Sequence, residues 1–459
     1  MNVFFERLQA HANTNPEAIA IRSERTQLSY SELLQSVEQR VEQLRQQPQR
    51  LFLLKETDPV TWVIEDLALM LADKVCIPVP PFFSQQQQTY LQTKVRANKP
   101  LPSGTAKVTF TSGSTGEPKG VCLSVDNQLT TVAALAERVA GSCVKRHMAI
   151  MPLSVLLENV AGVYLALWLG AEVVLLRSET LGLQGSSSLQ FNPFFTALTQ
   201  YQPDSLILTP ALLDVLVTGV ERGLINARQF KLLAVGGARL SDTLEERALA
   251  LKLPIVQGYG LSEFGSVVAL NAPLNSEPGT VGPPLKHARV SFENGEVVVQ
   301  GNAMLGYWDD RSSWFPAQIH TGDLGALDDK GHLIILGRRK NIIVTEYGRN
   351  IDPEWVESEL CSQPCIAQAA VLGDEQTPLT ALLVLMPSTT TAQADTAVSQ
   401  VNTQLPDYAR IQRYIVMTEP FTVSNGLLTG TGRLRRQAIQ AFFELKDPAS
   451  TNEVNDEIF

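Results

Sequence analysis

Residues 108–124 have the sequence VTFTSGSTGEPKGVCLS, in which two apolar runs flank a stretch of glycine and hydroxyl residues. The apolar runs predict two strands, and the stretch between them predicts a loop. Glycines let main-chain N–H groups approach an anion closely, hydroxyls supply further donors, and Lys119 adds a positive charge. These groups predict a loop that binds a polyphosphate, while an ordinary serine- and glycine-rich turn is the alternative.

The spacing in this loop differs from that of the P-loop NTPases. A Walker A loop requires the pattern G-x-x-x-x-G-K-[ST], in which a hydroxyl residue directly follows the lysine. Here Gly120 and Val121 follow Lys119. The sequence therefore predicts a phosphate-binding loop of another class.

Strand and helix patterns alternate on both sides of the loop. The segment that begins at Leu28 places Leu33, Val37, Val41 and Leu44 at helical spacing, with charged and amide residues between them. Apolar runs of strand length recur between helical stretches at 173–176, 205–208, 232–235 and 255–256. Strands that alternate with helices predict an α/β fold with layered, mainly parallel sheets.

The pattern changes after Gly295 to short strands separated by turns. The runs GEVVVQG, GHLIILG and NIIVTEYG each end at a glycine, and they predict a β-rich subdomain at about 280–339. A smaller α+β unit is predicted beyond it from a helix at 353–360, strands at 369–372 and 381–385, and a helix at 391–405.

The length of 459 residues predicts more than one domain, because single cores rarely exceed about 250–300 residues. We place the boundary near Lys340. The prediction is a large N-terminal domain of layered α/β sheets at 1–339 and a small C-terminal α+β domain at 340–459.

The composition is that of an ordinary globular protein, with 44% hydrophobic and 18% charged residues. The formal net charge of -10 speaks against a nucleic-acid partner, because surfaces that bind phosphate backbones carry an excess of Lys and Arg. We therefore expect neither DNA nor RNA as a partner.

Three features predict a cytoplasmic protein without a transmembrane segment. The five cysteines are scattered, and free thiols are expected in a reducing compartment. At the N-terminus, Glu6 and Arg7 interrupt the apolar core that a secretion signal requires. The most apolar stretch, 160–171, is shorter than a membrane span of about 20 residues, so that a buried helix is the better interpretation.

Five segments occur in an order that resembles one family. They are VTFTSGSTGEPKG at 108–120, VGGARLS at 235–241, QGYGLSEFGS at 257–266, IHTGDLG at 319–325 and GRRKNIIVTEYGRNIDPEWVE at 337–357. The segments resemble the motifs of the superfamily of AMP-forming acyl-CoA synthetases, adenylation domains and luciferases. The resemblance extends from Leu28 to Arg436, and it implies a mobile C-terminal domain that rotates about a hinge at Lys340.

The resemblance implies an ATP site, and each implied role suits the chemistry of its residue. Glu263 offers Mg²⁺ a carboxylate oxygen, a ligand that this ion prefers, and Tyr259 lies against the purine. Asp323 accepts hydrogen bonds from the ribose hydroxyls and is supported by Arg338. The remaining implied contacts to the nucleotide come from small residues of the first three motifs: Thr111, Ser112, Gly113, Ser114, Thr115, Gly116, Gly236, Gly237, Ala238, Gly260 and Ser262.

Lys119 and Arg433 are implied to act in catalysis together with Glu263. Arg433 lies in FTVSNGLLTGTGRLRRQAI at 421–439, at the position where the family usually has a lysine. A guanidinium keeps the charge, but it is planar and bulkier. Either adenylation is slow, or Lys119 and Arg435 compensate. The sequence also departs from the family at Val155, where histidine is frequent, and in the short region before the loop.

The implied activity is the ATP-dependent conversion of a carboxylic acid to an acyl-adenylate with release of pyrophosphate, followed by transfer to a thiol. That thiol belongs to coenzyme A or to the phosphopantetheine of an acyl carrier protein. The resemblance implies that the acid is housed by residues in and after MPLSVLLENVAG at 151–162, by LTPALL at 208–213, and by the glycines of the two central motifs. Val155, Leu156 and Leu213 favour a fatty or otherwise hydrophobic acid, although an ordinary core explains them nearly as well.

Two main alternatives stay open, and a luciferase-like oxygenase is a distant third because no residue pattern indicates oxygen chemistry. One is an acyl-AMP ligase that stops at the adenylate or delivers the acyl group only to a carrier protein. The other is a degenerate nucleotide-binding subunit with weak or no catalysis, which the arginine at position 433 and the short N-terminal region support.

Overall fold

The computed structural model describes residues 3–111, 118–184, 188–273, 276–344, 349–373, 379–429 and 432–446. The chain divides into two compact units, Met1–Leu336 and Gly337–Phe459. The predicted α/β class, with several sheets in a large unit followed by a smaller unit, is confirmed. The functional boundary and the hinge at residue 340 stay predictions.

The helices of the first unit are α1 (Val3–Thr14), α2 (Tyr30–Arg45), α3 (Pro59–Leu71), α4 (Gln85–Arg96), α5 (Val125–Val139), α6 (Leu165–Leu169), α7 (Phe191–Tyr201), α8 (Pro210–Glu221) and α9 (Asp242–Ala250). Its strands are β1 (Ile19–Arg22), β2 (Gln27–Ser29), β3 (Leu51–Leu54), β4 (Val75–Pro78), β5 (Lys107–Thr111), β6 (Lys119–Leu123), β7 (Arg146–Ala149), β8 (Glu172–Leu175), β9 (Leu183–Gln184), β10 (Ser188–Leu189), β11 (Ser205–Leu208), β12 (Leu232–Val235), β13 (Ile255–Tyr259), β14 (Ala269–Leu270), β15 (Ala288–Glu293), β16 (Glu296–Gly301), β17 (Gly306–Tyr307), β18 (Ile319–Leu327) and β19 (Leu333–Arg338).

The largest sheet among the described residues has eight strands in the order β14-β13-β12-β11-β7-β8-β1-β2. Neighbouring strands from β13 to β1 are parallel, and only β14 and β2 at the edges pair antiparallel. The prediction of a mainly parallel sheet is confirmed. Because β7, β11, β12 and β13 run in one direction, their carboxyl ends lie at the same edge of the sheet.

A second sheet has five strands in the order β17-β6-β5-β4-β3. β5 and β6 pair antiparallel, with Thr111 opposite Lys119, so both ends of the predicted phosphate loop lie side by side. β17 pairs with the other side of β6 and places Tyr307 opposite Val121. This pairing brings a residue that is distant in the sequence next to the loop.

The predicted β-rich subdomain is confirmed as a sheet in the order β15-β16-β18-β19. β15, β16 and β18 pair antiparallel, with Val290 opposite Val299 and Val299 opposite Ile319. Val297, Val298 and Val299 are fully buried on β16. This central strand anchors the subdomain, and β18 carries Asp323.

Two helical predictions had different outcomes. α2 is confirmed: Ser29 and Glu32 form a capping box, and the apolar stripe from Leu33 to Leu44 is buried. The helix predicted at 160–171 is present, but its first part, Glu158–Tyr164, is a π-helix that α6 continues. Wide turns of this kind are rare and frequently occur at functional sites.

The second unit contains α10 (Pro353–Cys361), α11 (Thr391–Gln404) and α12 (Arg436–Lys446), with strands β20 (Ile343–Val344), β21 (Asn350–Ile351), β22 (Ile366–Leu372), β23 (Thr380–Leu385) and β24 (Arg413–Val416). A three-stranded sheet has the order β22-β23-β24. The two helices and two strands predicted here correspond to α10, α11, β22 and β23. None of the helices in the described part of the chain is long and apolar enough to cross a membrane.

Candidate functional site

The predicted site segments of the first unit follow the carboxyl ends of parallel strands. Gly236 and Gly237 follow β12, Gly260 follows β13, and the segment predicted to house the acid follows β7. Ligands of open α/β sheets bind in the crevice outside these strand ends. The fold therefore brings segments that are distant in the sequence to one edge of the large sheet.

The signature loop, residues 111–116, lies between β5 and β6. Thr111 is half-buried at the end of β5, and Lys119 is exposed at the start of β6. The predicted site residues Ser112, Gly113, Ser114, Thr115 and Gly116 lie outside the described residues. The pairing of Thr111 with Lys119 fixes where the loop leaves the sheet and returns to it.

Glu263 lies in the short 3-10 helix Ser262–Phe264, shortly after β13. Its side chain is half-buried, and its Oε1 accepts a hydrogen bond of 3.0 Å from Tyr307 Oη. The ammonium group of Lys119 lies 5.2 Å from the centroid of the Tyr307 ring, within the range of a cation–π contact. Tyr307 thus links two of the residues predicted to be catalytic.

The hydroxyl of Tyr307 remains a donor. Burial raises the pKa of Tyr307 above its ordinary value, and the adjacent Glu263 carboxylate raises it further. The phenol therefore stays protonated throughout the neutral range. It can hold the Glu263 carboxylate in place without changing its own charge.

Sequence reasoning missed Tyr307. A signal was present, since Tyr307 and Trp308 follow Gly306, a glycine five residues beyond the end of the predicted run GEVVVQG. Their importance depends on the pairing of β17 with β6, in which Trp308 N donates a 2.7 Å hydrogen bond to Gly120 O. The spacing of residues in the sequence does not contain this pairing.

Tyr259 and Asp323, predicted to contact the purine and the ribose, are brought together. Tyr259 Oη donates a hydrogen bond of 2.6 Å to Asp323 Oδ2. Asp323 is 5% exposed, and its backbone N–H donates to Thr321 Oγ1 at 3.1 Å. These bonds fix both the aromatic ring and the carboxylate at the carboxyl end of β13.

The glycines beside this pair allow a close approach to the backbone. A Cβ atom at Gly260 would overlap the carbonyl oxygen of Ser266, so a larger residue does not fit there. At Gly237 φ is +84°, and a Cβ atom there would meet nothing within 4 Å. Ala238 next to it is exposed. Gly237 therefore borders open space after the end of β12.

Ser266 closes the turn that carries Glu263. The turn is held by hydrogen bonds of 3.2 Å from Ser266 N to Leu261 O and from Gly265 N to Ser262 O. At Ser266 φ is +100°, a strained value for a residue with a side chain. Its Oγ is buried and has no hydrogen-bond partner among the described residues. Such strain is typical of functional sites.

The acid segment, defined here as residues 151–157, connects β7 to the π-helix. Leu156 is buried in the main hydrophobic core, and Leu213 of α8 is fully buried in a second core cluster. Both side chains pack inside the protein, so they give no support to a hydrophobic acid. Val155 is half-buried, and Ser154 is buried with no partner for its Oγ among the described residues.

Arg338, the last residue of β19, lies just past the boundary between the two units, and Lys340 and Arg433 belong to the second unit. Arg338 is half-buried at the end of β19, and Lys340 is exposed in the 3-10 helix Arg339–Asn341. Arg433 is exposed in a turn in which Thr429 N donates a hydrogen bond of 2.7 Å to Arg433 O. The roles implied for the three residues stay predictions.

Arg435 and Arg436, which follow Arg433, have separate environments. Arg435 Nη1 donates to Gly426 O at 3.3 Å, whereas the Arg436 guanidinium binds both carboxylate oxygens of Glu357 at 2.8 and 2.5 Å. Burial raises the pKa of Glu357 to about 7, although the charge of Arg436 opposes this shift. Arg436 is therefore occupied within its own unit.

The donor set suits Mg²⁺ only in combination with a phosphate ligand. No cluster of three or more His, Cys, Asp or Glu residues able to hold a metal ion occurs in the described part of the chain. Glu263 Oε2 accepts no hydrogen bond from the described residues, so one oxygen remains for an ion. Mg²⁺ usually binds one or two carboxylates together with water and substrate phosphates, and Glu263 fits that pattern.

Two family models match the chain. A model of the AMP-binding enzyme family matches residues 84–308, and a model of the AMP-binding enzyme C-terminal domain matches residues 340–446. The first match contains the signature loop, Glu263 and Tyr307, and the second begins at Lys340. Together they cover most of the sequence.

Curated relatives match over part of their length. A long-chain-fatty-acid–CoA ligase of Mycobacterium bovis is 32% identical over an alignment of 242 residues, which covers 45% of this chain and 40% of that protein. A 2-succinylbenzoate–CoA ligase of Bacillus velezensis is 28% identical over an alignment of 288 residues, which covers 59% of this chain and 56% of that protein. The chain thus spans about half the length of these relatives.

A solved structure matches the whole fold. The anthranilate CoA ligase AuaEII in complex with anthranoyl-AMP has a TM-score of 0.83 at 16% identity, and the match covers 97% of this chain and 98% of that chain. At this level of identity the match concerns the fold alone. The two family models, together with the five ordered motifs, confirm the predicted relationship. The chain belongs to the AMP-binding enzyme family, the AMP-forming ligase superfamily that its motifs resemble.

Proposed function

We propose that the protein activates a carboxylic acid with ATP to form an acyl-adenylate, releases pyrophosphate, and transfers the acyl group to a thiol. The observation that carries this proposal is the contact of Tyr307 with both Lys119 and Glu263. It joins the end of the signature loop to the carboxylate expected to bind Mg²⁺. A reaction at the α-phosphate of ATP needs both groups beside the polyphosphate.

The residues have distinct roles in the proposed first step. The substrate carboxylate attacks the α-phosphorus in line, and negative charge accumulates on the phosphate oxygens. Lys119 stabilises that charge, while Glu263 would hold Mg²⁺, which supplies further positive charge at the phosphates. Tyr259 and Asp323 orient the adenosine through their shared hydrogen bond.

Coenzyme A is the proposed thiol of the second step. The two relatives compared above are both named as CoA ligases, which supports this acceptor. The phosphopantetheine of an acyl carrier protein has the same reactive thiol and is the alternative. The thiol attacks the carbonyl carbon of the acyl-adenylate and expels AMP, so no protein nucleophile is required.

We propose that the acid substrate is a fatty acid or another hydrophobic acid. It is supported by the fatty-acid ligase among the relatives and by the apolar Val155 in the acid segment. The succinylbenzoate ligase makes an aromatic dicarboxylic acid the main competitor. Leu156 and Leu213 do not distinguish the two classes, since both belong to the core.

A second candidate function is a nucleotide-binding subunit with weak or no catalysis. The arginine at position 433 favours it, because a planar guanidinium does not reproduce the geometry of a lysine ammonium. This candidate predicts binding of ATP without formation of pyrophosphate. The two functions therefore differ in a directly measurable product.

The test is ATP–pyrophosphate exchange by the full chain with a panel of aliphatic, aryl and dicarboxylic acids. We expect exchange that depends on one class of acid and on Mg²⁺, and thioester formation on addition of coenzyme A. If the protein catalyses exchange and forms a thioester with a carrier protein but not with coenzyme A, the carrier protein is the acceptor. ATP binding with no exchange for any acid, in the wild type and in Arg433→Lys, would overturn the ligase in favour of the subunit.

A further inference from the structure

Two consecutive polar residues, Glu158 and Asn159, are buried on the π-helix and bind different parts of the first unit. Glu158 is 0% exposed, and its Oε1 lies 2.9 Å from His147 Nε2. Its Oε2 accepts hydrogen bonds from the backbone N–H groups of Ile150 and Met151 at 3.2 and 3.0 Å. A buried carboxylate needs such partners, and here two of them are main-chain groups.

These bonds hold the two ends of the acid segment together, and we call a segment held in this way closed. Ile150 and Met151 stand at its beginning, and Glu158 follows directly after its last residue. His147 is held from its other side, because its Nδ1 lies 3.2 Å from Ser205 Oγ at the start of β11. One carboxylate thus ties both ends of the acid segment to β7 and, through His147, to β11.

Gly162 leaves the space that this carboxylate occupies. A Cβ atom at position 162 would overlap Glu158 Oε1 and would lie 2.7 Å from His147 Nε2. Glu158 and His147 are both buried, so an added methyl group fits only if one of these two side chains shifts. An alanine at this position would displace the carboxylate without removing it.

Ser154 indicates that the closed segment serves more than packing. Its hydroxyl is buried without a partner among the described residues, and such a group costs free energy until a ligand or water supplies a hydrogen bond. An unsatisfied hydroxyl in a closed segment is expected where a bound molecule supplies the missing hydrogen bond. This segment also follows the carboxyl end of β7, where ligands of such sheets bind.

We propose that Glu158, paired with His147, is a positioning residue that sets the selectivity of the site among carboxylic acids by holding the acid segment closed. The proposal rests on the proposed function. Glu158 is fully buried, so it acts through the main chain of Ile150 and Met151 and not by contact with the substrate.

Asn159 provides a matched control on the same helix. It is 2% exposed, its Nδ2 donates to Asp66 Oδ2 at 2.9 Å, and its Oδ1 accepts from Lys107 Nζ. Asp66 belongs to α3 and Lys107 to β5, and these contacts do not involve the acid segment. Asn159→Ala therefore removes a polar side chain of similar burial without opening the segment.

The test compares Glu158→Ala, Glu158→Gln, Gly162→Ala and Asn159→Ala with the wild type. For each protein, kcat/KM is measured for two acids of different length, together with the KM for ATP. We expect Glu158→Ala and Gly162→Ala to change the ratio of the two kcat/KM values by about tenfold or more, with the KM for ATP nearly unchanged. Glu158→Gln should keep the ratio of the two kcat/KM values close to that of the wild type, since its amide oxygen can accept both main-chain bonds. Asn159→Ala should lower stability and leave the ratio unchanged.

Hydrogen–deuterium exchange of peptides covering 150–157 gives a second readout that does not depend on catalysis. Faster exchange is expected in Glu158→Ala and Gly162→Ala, but not in Asn159→Ala. An unchanged acid ratio in Gly162→Ala, which keeps the carboxylate and should fold, would overturn the inference, as would an equal change in Asn159→Ala. A wild type that is inactive with every acid would instead contradict the proposed function.

Discussion

Tyr307 Oη donates a hydrogen bond of 3.0 Å to Glu263 Oε1, and this bond connects the two large sheets of the first unit. Tyr307 pairs with β6 of the five-stranded sheet, whereas Glu263 follows β13 of the eight-stranded sheet. Lys119, at the start of β6, lies against the same aromatic ring. Tyr307 therefore contacts both Lys119, which follows the signature loop, and the proposed Mg²⁺ ligand Glu263.

The first prediction concerns Glu263. Glu263→Gln should lower the rate of pyrophosphate exchange on the order of 100-fold, because the amide would no longer hold the positive charge needed at the phosphates. The half-saturating Mg²⁺ concentration should also rise. Glu137→Gln, which changes an exposed carboxylate of the same unit, is the control. Exchange at the wild-type rate in Glu263→Gln would remove this residue from the site.

Tyr307→Phe tests the bond itself and keeps the ring beside Lys119. A hydrogen bond to a charged group contributes about 1.5–3 kcal/mol, so we expect a loss of exchange rate of roughly 10- to 100-fold. The combined Glu263→Gln and Tyr307→Phe variant should lose little more than Glu263→Gln alone, because the two residues act through one bond. Losses that multiply would show that Tyr307 has an independent role.

The second prediction concerns the nucleotide sugar. If Asp323 accepts hydrogen bonds from the ribose hydroxyls, Asp323→Asn should raise the KM for ATP about tenfold and weaken the preference for ATP over 2′-deoxy-ATP. Tyr259→Phe should raise the KM for ATP less, since it loses only the bond that orients the carboxylate. A preference for ATP that is the same in Asp323→Asn and wild type would contradict the ribose assignment.

The sequence predicted those parts of the fold that depend on local patterns. The stripe from Leu33 to Leu44 and the apolar runs at 205–208 and 232–235 became α2, β11 and β12 with little change of bounds. In each, the spacing of apolar residues matches one regular structure and its burial. Because these strands are parallel, the segments that follow their carboxyl ends lie at one edge of the sheet.

Other features depend on partners that are distant in the sequence. The run at 160–171 predicted an ordinary buried helix, but Glu158 and Asn159 bind groups on β5, β7 and α3, and the helix there is a π-helix. Tyr307 gained its role from the pairing of β17 with β6. Five of the six residues of the signature loop, 112–116, lie outside the described residues, so their role rests on the sequence.

The third prediction concerns Glu357 and pH. In the folded protein burial raises the pKa of Glu357 to about 7, from an ordinary value of 4.5. Between these values the folded state holds a proton that the unfolded chain has released, so the contribution to stability is present below pH 4.5 and is lost as the pH rises through 7. Glu357→Gln cannot titrate and should lose less stability between about pH 5 and 8 than the wild type.

The measurement is the free energy of unfolding of the full chain in urea at several pH values. Glu419→Gln serves as the control, because Glu419 is exposed in the same unit. Its pH dependence should match that of the wild type. If Glu357→Gln keeps the wild-type slope in this pH range, the Glu357 carboxylate is ionised throughout and its pKa is not raised.

The fourth prediction separates two costs at Ser266. Its φ of +100° is strained for serine, and its buried hydroxyl has no partner among the described residues. Each cost is about 1–3 kcal/mol, and glycine removes both at the expense of about 0.5–1 kcal/mol of backbone entropy. We expect Ser266→Gly to raise the free energy of unfolding more than Ser266→Ala, which removes the hydroxyl but keeps the strained backbone.

Ser266→Gly should also slow pyrophosphate exchange. Ser266 closes the turn that carries Glu263, and its carbonyl oxygen fills the space beside Gly260. A glycine at 266 lets this turn sample other conformations, so the Glu263 carboxylate spends less time in the bond with Tyr307. A more stable protein with slower pyrophosphate exchange is the expected combination. A variant that is both less stable and equally active would show that the backbone at Ser266 is not strained and has no part in holding Glu263.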